Sequence, residues 1–249
     1  MNTTVLEKPK QKFAETQRKD IWWLEPLVYF IGLGLFIVYA TWAAFQGKNY
    51  QWGPYLSPFY SPLITVQWWH LSPAFLILWV PAGFRATCYY YRKAYYRSYF
   101  MDPPACAVSE GCQSQSRKYD GETTFPLIFQ NIHRYFLIGA SVLLCFLWHD
   151  VIRAFNFNDQ FGIGIGTIVL FASTFLLTMY SLSCHSFRHL IGGYKDSFKC
   201  GYQFSAYKGV SCLNEHHMFW AWTSLFMVGF ADLYVRLCSM GIWTDFRIL

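Results

Sequence analysis

Charge is scarce in this chain. Only 14% of its 249 residues are Asp, Glu, Lys or Arg, against about 25% in soluble domains, so the folded surface cannot face water all round. The first residues also lack an apolar core. MNTTVLEKPKQKFAETQRKD is polar and basic, which argues against a secretory leader and reads as a cytosolic tail over residues 1–20. No internal repeat and no low-complexity segment stands out. Cysteine is not lacking, but eight of them in a long apolar chain do not make the disulfide framework of a short secreted domain.

What is abundant is apolar and aromatic surface, 54% and 21% of the residues. Five runs have about the 20 residues needed to cross about 30 Å of hydrocarbon. They cover about 27–45, 68–91, 129–148, 163–190 and 217–237. The expected fold is therefore all-α, a five-helix transmembrane bundle occupying residues 21–249. Pro73 and Pro81 predict a kink in the second run,. Trp22, Trp23, Trp42, Trp68, Trp69, Trp148 and Trp243 gather at the span ends as interfacial belts do,.

Of the twenty basic residues, all but Lys48, Arg153, Arg236 and Arg247 fall on the side of the N-terminal tail. Positive charge stays inside, so the N-terminus is expected in the cytoplasm and the C-terminus outside. The outer stretch GKNYQWGPYLSPFYSP should form a compact cap on the membrane,. The inner loop, about 95–125, is long enough to meet a soluble partner or anionic headgroups. In YYYRKAYYRSYF, aromatics interleave with Arg92, Lys93 and Arg97 as interfacial anchors do,. Asp232 and Arg236 are spaced to pair at i, i+4 near the outer end of the last span,.

This topology sorts the thiols and imidazoles. Cys88, His133, Cys184, His185, His189, His216 and His217 all fall at inner span ends, and Cys106 could fold back onto them. His70 and His149 are outer. His185 and His189 share one helical face, with Cβ atoms about 6 Å apart, and Cys184 pairs with Arg188 on a face rotated by about 100°. Thiolates with imidazoles suit zinc, haem iron or an iron–sulfur cluster. Haem b would need histidines from two helices, such as His133 with His185 or His217 with His189. A Rieske-type cluster needs two Cys and two His close together. The residues leave haem and cluster open. They also leave open a non-redox metal transporter or scaffold, although a transporter would place ligands near the midplane.

FRATCYYYRKAYYRSYFMDPPACAV, GETTFPLIFQNIHRYF, SLSCHSFRHLIGG and LNEHHMFWAWTSLFMVGFADLYVRL together resemble the single-subunit membrane anchor of bacterial succinate dehydrogenase, respiratory complex II. The similarity runs from about Trp22 to Leu249, and is to the class whose cytochrome b-like anchor holds a Rieske-type [2Fe–2S] cluster. It implies a multi-pass protein of the bacterial cytoplasmic membrane, bound to a flavoprotein and an iron–sulfur subunit and passing electrons to a membrane quinone. Such a subunit belongs to an enzyme of respiration and the tricarboxylic acid cycle but oxidises no succinate itself. A haem b anchor of the same complex is the alternative. The shared motifs contain Cys88, Cys106, His133, Cys184, His185, His189 and His217. They favour His185 and His189 on one iron and two of Cys88, Cys106 and Cys184 on the other. His133, Arg134, Tyr135 and His217 would then serve the surroundings of the centre or the quinone.

Overall fold

A computed structural model describes residues 12–109, 123, 125, 127–157, 159–193, 197 and 201–249. Eight α-helices carry the described fold: α1 (Leu24–Gln46), α2 (Phe75–Ala86), α3 (Tyr89–Tyr95), α4 (His133–Arg153), α5 (Ile165–Leu182), α6 (His185–Gly192), α7 (Tyr202–Glu215) and α8 (His217–Ser239). Two hairpins of two-residue strands, Gln51–Trp52 with Tyr55–Leu56 and Asn156–Phe157 with Gln160–Phe161, sit in connections between helices.

Four apolar helical segments are long enough to cross a membrane, Leu24–Gln46, Ile128–Arg153, Ile165–Leu182 and His217–Ser239. They match the first, third, fourth and fifth predicted spans. The second does not form one helix. Residues 68–74 are turns, α2 has only 12 residues, and the chain breaks at Thr87–Cys88 before α3. Twelve residues rise about 18 Å, well short of the hydrocarbon thickness. The fourth span likewise stops at Leu182 rather than running to 190, because the chain breaks at Ser183–Cys184.

Both breaks carry the same kind of local hydrogen bond. The Thr87 hydroxyl donates to the Gly83 carbonyl at 2.7 Å, and the Ser183 hydroxyl donates to the Tyr180 carbonyl at 2.9 Å. Such back-bonding competes with the helical ladder. The cysteine that follows is extended in each case, with ψ 132° at Cys88 and 139° at Cys184, and caps the next short helix. Neither break uses glycine or proline, so hydropathy runs on through Ser183 undisturbed.

α5 and α8 pack against each other along their lengths, α4 lies between α2 and α5, and α1 closes on α3 and α8. Small buried residues such as Ser173, Ser224 and Ala231 line these contacts, as expected where helices meet in lipid. The connection between α1 and α2 is compact, with Tyr55, Phe59 and Tyr60 buried in it. The Asp232–Arg236 pair is present at 3.3 Å. It is pinned by hydroxyls of Tyr39, at 2.6 Å, and Ser57. On the opposite flank Asp245 accepts from Tyr55 at 2.8 Å, Tyr234 at 2.6 Å and the Gly166 amide at 2.8 Å.

Gly166 is required by that closure, since a Cβ there would lie 2.4 Å from the Tyr55 ring. Tyr55 is fully buried and cannot swing aside. Gly166→Ala is expected to destabilise the purified protein by about 1–3 kcal/mol, the usual cost of overpacking. A thermal-unfolding scan in detergent in which the variant matches wild type would contradict this account.

Candidate metal centre

The two chain breaks meet two helix beginnings at one end of the bundle. The first break supplies Thr87 and Cys88, and the second Ser183 and Cys184. His133 opens α4 and His217 opens α8. The connections cross. His133 Nδ1 is 2.8 Å from Thr87 Oγ1 and its Nε2 is 3.0 Å from Cys184 Sγ. His217 Nδ1 is 2.7 Å from Ser183 Oγ and its Nε2 is 3.4 Å from Cys88 Sγ. Each imidazole thus spans from the hydroxyl of one break to the thiol of the other.

The hydroxyls decide the tautomers. Each has a single proton, and both protons already go to backbone carbonyls. Toward the imidazole each hydroxyl can only accept, so Nδ1 carries the hydrogen and Nε2 keeps its lone pair. Histidines that hold metals are oriented in this way by a partner on the far nitrogen. The result is two imidazole lone pairs facing two thiols.

Aromatic rings support the histidines from the membrane side. Phe84 stacks on His133 at 4.8 Å and 5°, and Tyr180 stacks on His217 at 5.1 Å and 20°. The two rings meet edge-on at 5.4 Å. The Arg85 guanidinium lies 4.5 Å from the centre of the Tyr180 ring. It also hydrogen-bonds the Ala221 carbonyl at 3.1 Å and the Ser224 hydroxyl at 2.9 Å. An aromatic floor and a half-buried cation therefore underlie the thiol–imidazole layer.

Above that floor is a cavity of about 540 Å³ lined by Cys88, His133, Cys184 and His217, with His185 and His189 also on its wall. The latter two are exposed, and their rings stand 6.5 Å apart. Arg134 reaches the same cavity. Tyr135 is 72% exposed on the outside of α4. Cys106 is exposed and 3.6 Å from the Arg97 guanidinium, away from the cavity lining. His216 turns back to the Cys212 carbonyl at 3.2 Å. Among the described residues no three His, Cys, Asp or Glu side chains converge on one metal position. The donors come together as His–Cys pairs.

The two breaks share a sequence pattern that corrects the absence of an internal repeat. FRATCYYYR (84–92) and YSLSCHSFR (180–188) both read aromatic, two residues, hydroxyl, Cys, two residues, aromatic, Arg. Aligning the chain on its Cys–Xaa–Xaa–aromatic–Arg segments would have brought the repeat out. It supplies both thiols, both orienting hydroxyls and both floor rings.

The family model for actinobacterial succinate dehydrogenase subunit SdhC matches residues 24–241. The chain belongs to this family. It is a subunit of a membrane enzyme complex and a multi-pass protein of the bacterial cytoplasmic membrane. A chain in the solved structure of the Mycobacterium smegmatis Sdh1 complex in the apo form is 40% identical to this SdhC, with a TM-score of 0.86 and 100% of both chains covered. No curated protein matches the sequence.

A second cavity, of about 450 Å³, lies on the membrane side of the aromatic floor. Phe36, Leu78, Leu144 and Leu177 make most of its wall apolar, while Phe84, Arg85 and Tyr180 close its inner end and Ser61 lies at the outer end. Ile37 and Trp79, both largely exposed, flank its opening toward lipid.

Proposed function

We propose that this SdhC anchors the flavoprotein and iron–sulfur subunits of succinate dehydrogenase on its cytoplasmic side and passes their electrons through a membrane-embedded metal centre to quinone. In this reading the short α2–α3 segment completes a five-segment topology, with the N-terminus inside and the C-terminus outside, as the basic residues favour. The observation that carries the proposal is the crossed pairing of His133 with Cys184 and of His217 with Cys88.

The donors fit a Rieske-type [2Fe–2S] cluster better than a mononuclear metal. Each iron of such a cluster takes only two protein ligands, because bridging sulfides supply the rest. It takes two thiolates on one iron and two imidazoles on the other, so the layer's two Cys and two His match its donor set, regrouped from the crossed His–Cys pairs of this structure. We assign Cys88, Cys184, His133 and His217 as the residues that would hold it, in preference to the pair His185 and His189 suggested by helical spacing. When bound, it would supply one-electron transfer at a higher potential than an all-cysteine cluster. Haem b fits less well, because both imidazole lone pairs face thiols rather than an open slot for a macrocycle.

The rest of the work belongs to the protein. Thr87 and Ser183 hold the imidazoles in one tautomer. Phe84 and Tyr180 seal the layer from the hydrocarbon side. The apolar cavity would hold the quinone ring and the start of its isoprenoid tail, with Arg85 donating toward a carbonyl oxygen. His185, His189 and Arg134 would face the docked iron–sulfur subunit.

Optical and paramagnetic spectra of the purified complex test the reading. A Rieske-like signal on reduction, without a haem Soret band, is the expected result, and stoichiometric haem would refute the cluster assignment. Replacing both His185 and His189 with Ala should leave that signal in place. Its disappearance would return the ligand role to that pair.

A further inference from the structure

Two carboxylates sit among the outer ends of the helices, and they have different surroundings. Asp232 faces Arg236 and is fully buried. Asp150 has no Lys or Arg nitrogen within 4.0 Å among the described residues. Its neighbour is instead His149, with Nδ1 at 3.6 Å, and the His149 side chain is 63% exposed while that of Asp150 is 14% exposed. The other carboxylate oxygen of Asp150 accepts the hydroxyl of Ser61. Ser61 is buried, and it lines the apolar cavity.

We propose that His149, Asp150 and Ser61 form a proton-entry route from the outer surface to the apolar cavity. The inference rests on the reading of that cavity as the quinone site. Reducing one quinone to quinol takes two electrons and two protons. The electrons come from the iron–sulfur subunit. Each proton passes from the His149 imidazolium to the Asp150 carboxylate. The resulting acid then protonates Ser61 Oγ as the Ser61 hydroxyl gives its own proton to a quinone oxygen. His149 is recharged from outer water, so no side chain is consumed.

The surroundings favour a carrier over a fixed pin. The remaining charged groups at this end are occupied or lie apart. Ser57, on the same short turn as Ser61, is bonded to the Asp232–Arg236 pair of α8. Asp245 is held by two tyrosines and an amide, and Arg247 by the carbonyls of Leu249 and Phe161. On α4 itself Arg153 is exposed, as is Asp159 on the hairpin that follows. Ionisable groups within a membrane span that face a cavity commonly mark proton relays. The His149 side chain is open to exchange with solvent. A transfer chain needs groups within hydrogen-bond reach or joined by one water. Ser61 is hydrogen-bonded to Asp150, and the 3.6 Å from His149 to Asp150 is a gap for one bridging water or a side-chain rotation.

The test uses the whole complex in liposomes, with succinate outside so that only complexes with their soluble subunits outward turn over. The anchor's outer end then faces the lumen, where a trapped pH dye reads proton uptake. Short-chain quinone is the probe. Wild type should take up protons from the lumen as quinone is reduced. Asp150→Asn keeps an acceptor for Ser61 but cannot carry a proton. It should slow quinone reduction at least ~10-fold and abolish lumenal uptake. The reduced-state paramagnetic signal and succinate oxidation by a soluble dye should be unchanged. Ser61→Ala should act in the same direction. Undiminished lumenal uptake in Asp150→Asn, or uptake by wild type from the succinate side alone, overturns the route. Leu144→Trp separates the two readings by filling the cavity. If it leaves quinone reduction at the wild-type rate, the quinone is elsewhere and both readings fall. If it blocks reduction while Asp150→Asn does not, only the proton route falls.

Discussion

Complexes carrying His133→Ala or His217→Ala are expected to lose the reduced-state paramagnetic signal of the anchor and about two irons per complex. Quinone reduction should fall by roughly 10³-fold or more, because an electron path without its carrier must cross a much longer gap. Succinate oxidation by a soluble dye should persist, since that chemistry lies in the partner subunits. The reasoning rests on the crossed pairs, in which each imidazole offers its Nε2 lone pair to a thiol 3.0 Å or 3.4 Å away. Neither histidine has a substitute in place, as His185 and His189 lie exposed on the cavity wall. Thr87→Ala and Ser183→Val should have smaller effects, on the order of 10–100-fold in metal retention, because they remove the orienting partner and not the ligand. A signal of wild-type intensity in both histidine variants would place the centre elsewhere.

Arg236→Met should give the largest loss of stability outside the metal layer. Arg236 is 2% exposed and Asp232 is fully buried. The guanidinium also donates to the Lys48 carbonyl at 2.8 Å and the Ala43 carbonyl at 3.3 Å, and it lies 5.3 Å from the centre of the Trp42 ring. Removing it leaves a buried carboxylate with only the hydroxyls of Tyr39 and Ser57. Breaking a buried pair from one side typically costs about 3–5 kcal/mol, whereas removing both charges costs much less. Arg236→Met paired with Asp232→Leu should therefore recover part of the loss. Thermal unfolding of the detergent-purified complex measures both variants, and a double variant less stable than the single one would show that the charges contribute beyond their mutual neutralisation.

Much of this anchor was legible before any coordinates. Hydropathy found the four long spans, and the i, i+4 spacing of Asp232 and Arg236 foretold their pairing. A layer of thiols and imidazoles also emerged once each residue was placed along its span, though it held His185, His189 and His216 beside Cys88, His133, Cys184 and His217. What misled was the second span. Its apolar run through residues 68–91 hides turns and a break that hydropathy does not register. The fourth span was drawn too long for the same reason. The break at Ser183–Cys184 changes the backbone without changing the apolar pattern.

Helical spacing also set His185 and His189 ahead of His133 and His217, because neighbours on one helix are the only neighbours a linear reading can count. The contacts that matter join residues 51 and 129 positions apart. By itself, the sequence determined a membrane protein, its long spans, its family and the residue types available at the inner face. The spans and the available residue types follow from composition and local periodicity, and the family from the resemblance of the motifs. The tertiary structure alone decided which imidazole faces which thiol, that two aromatic rings floor the site and that Ser61 joins Asp150 to the cavity. Each of those depends on how separate helices end and pack against one another, which no local pattern records.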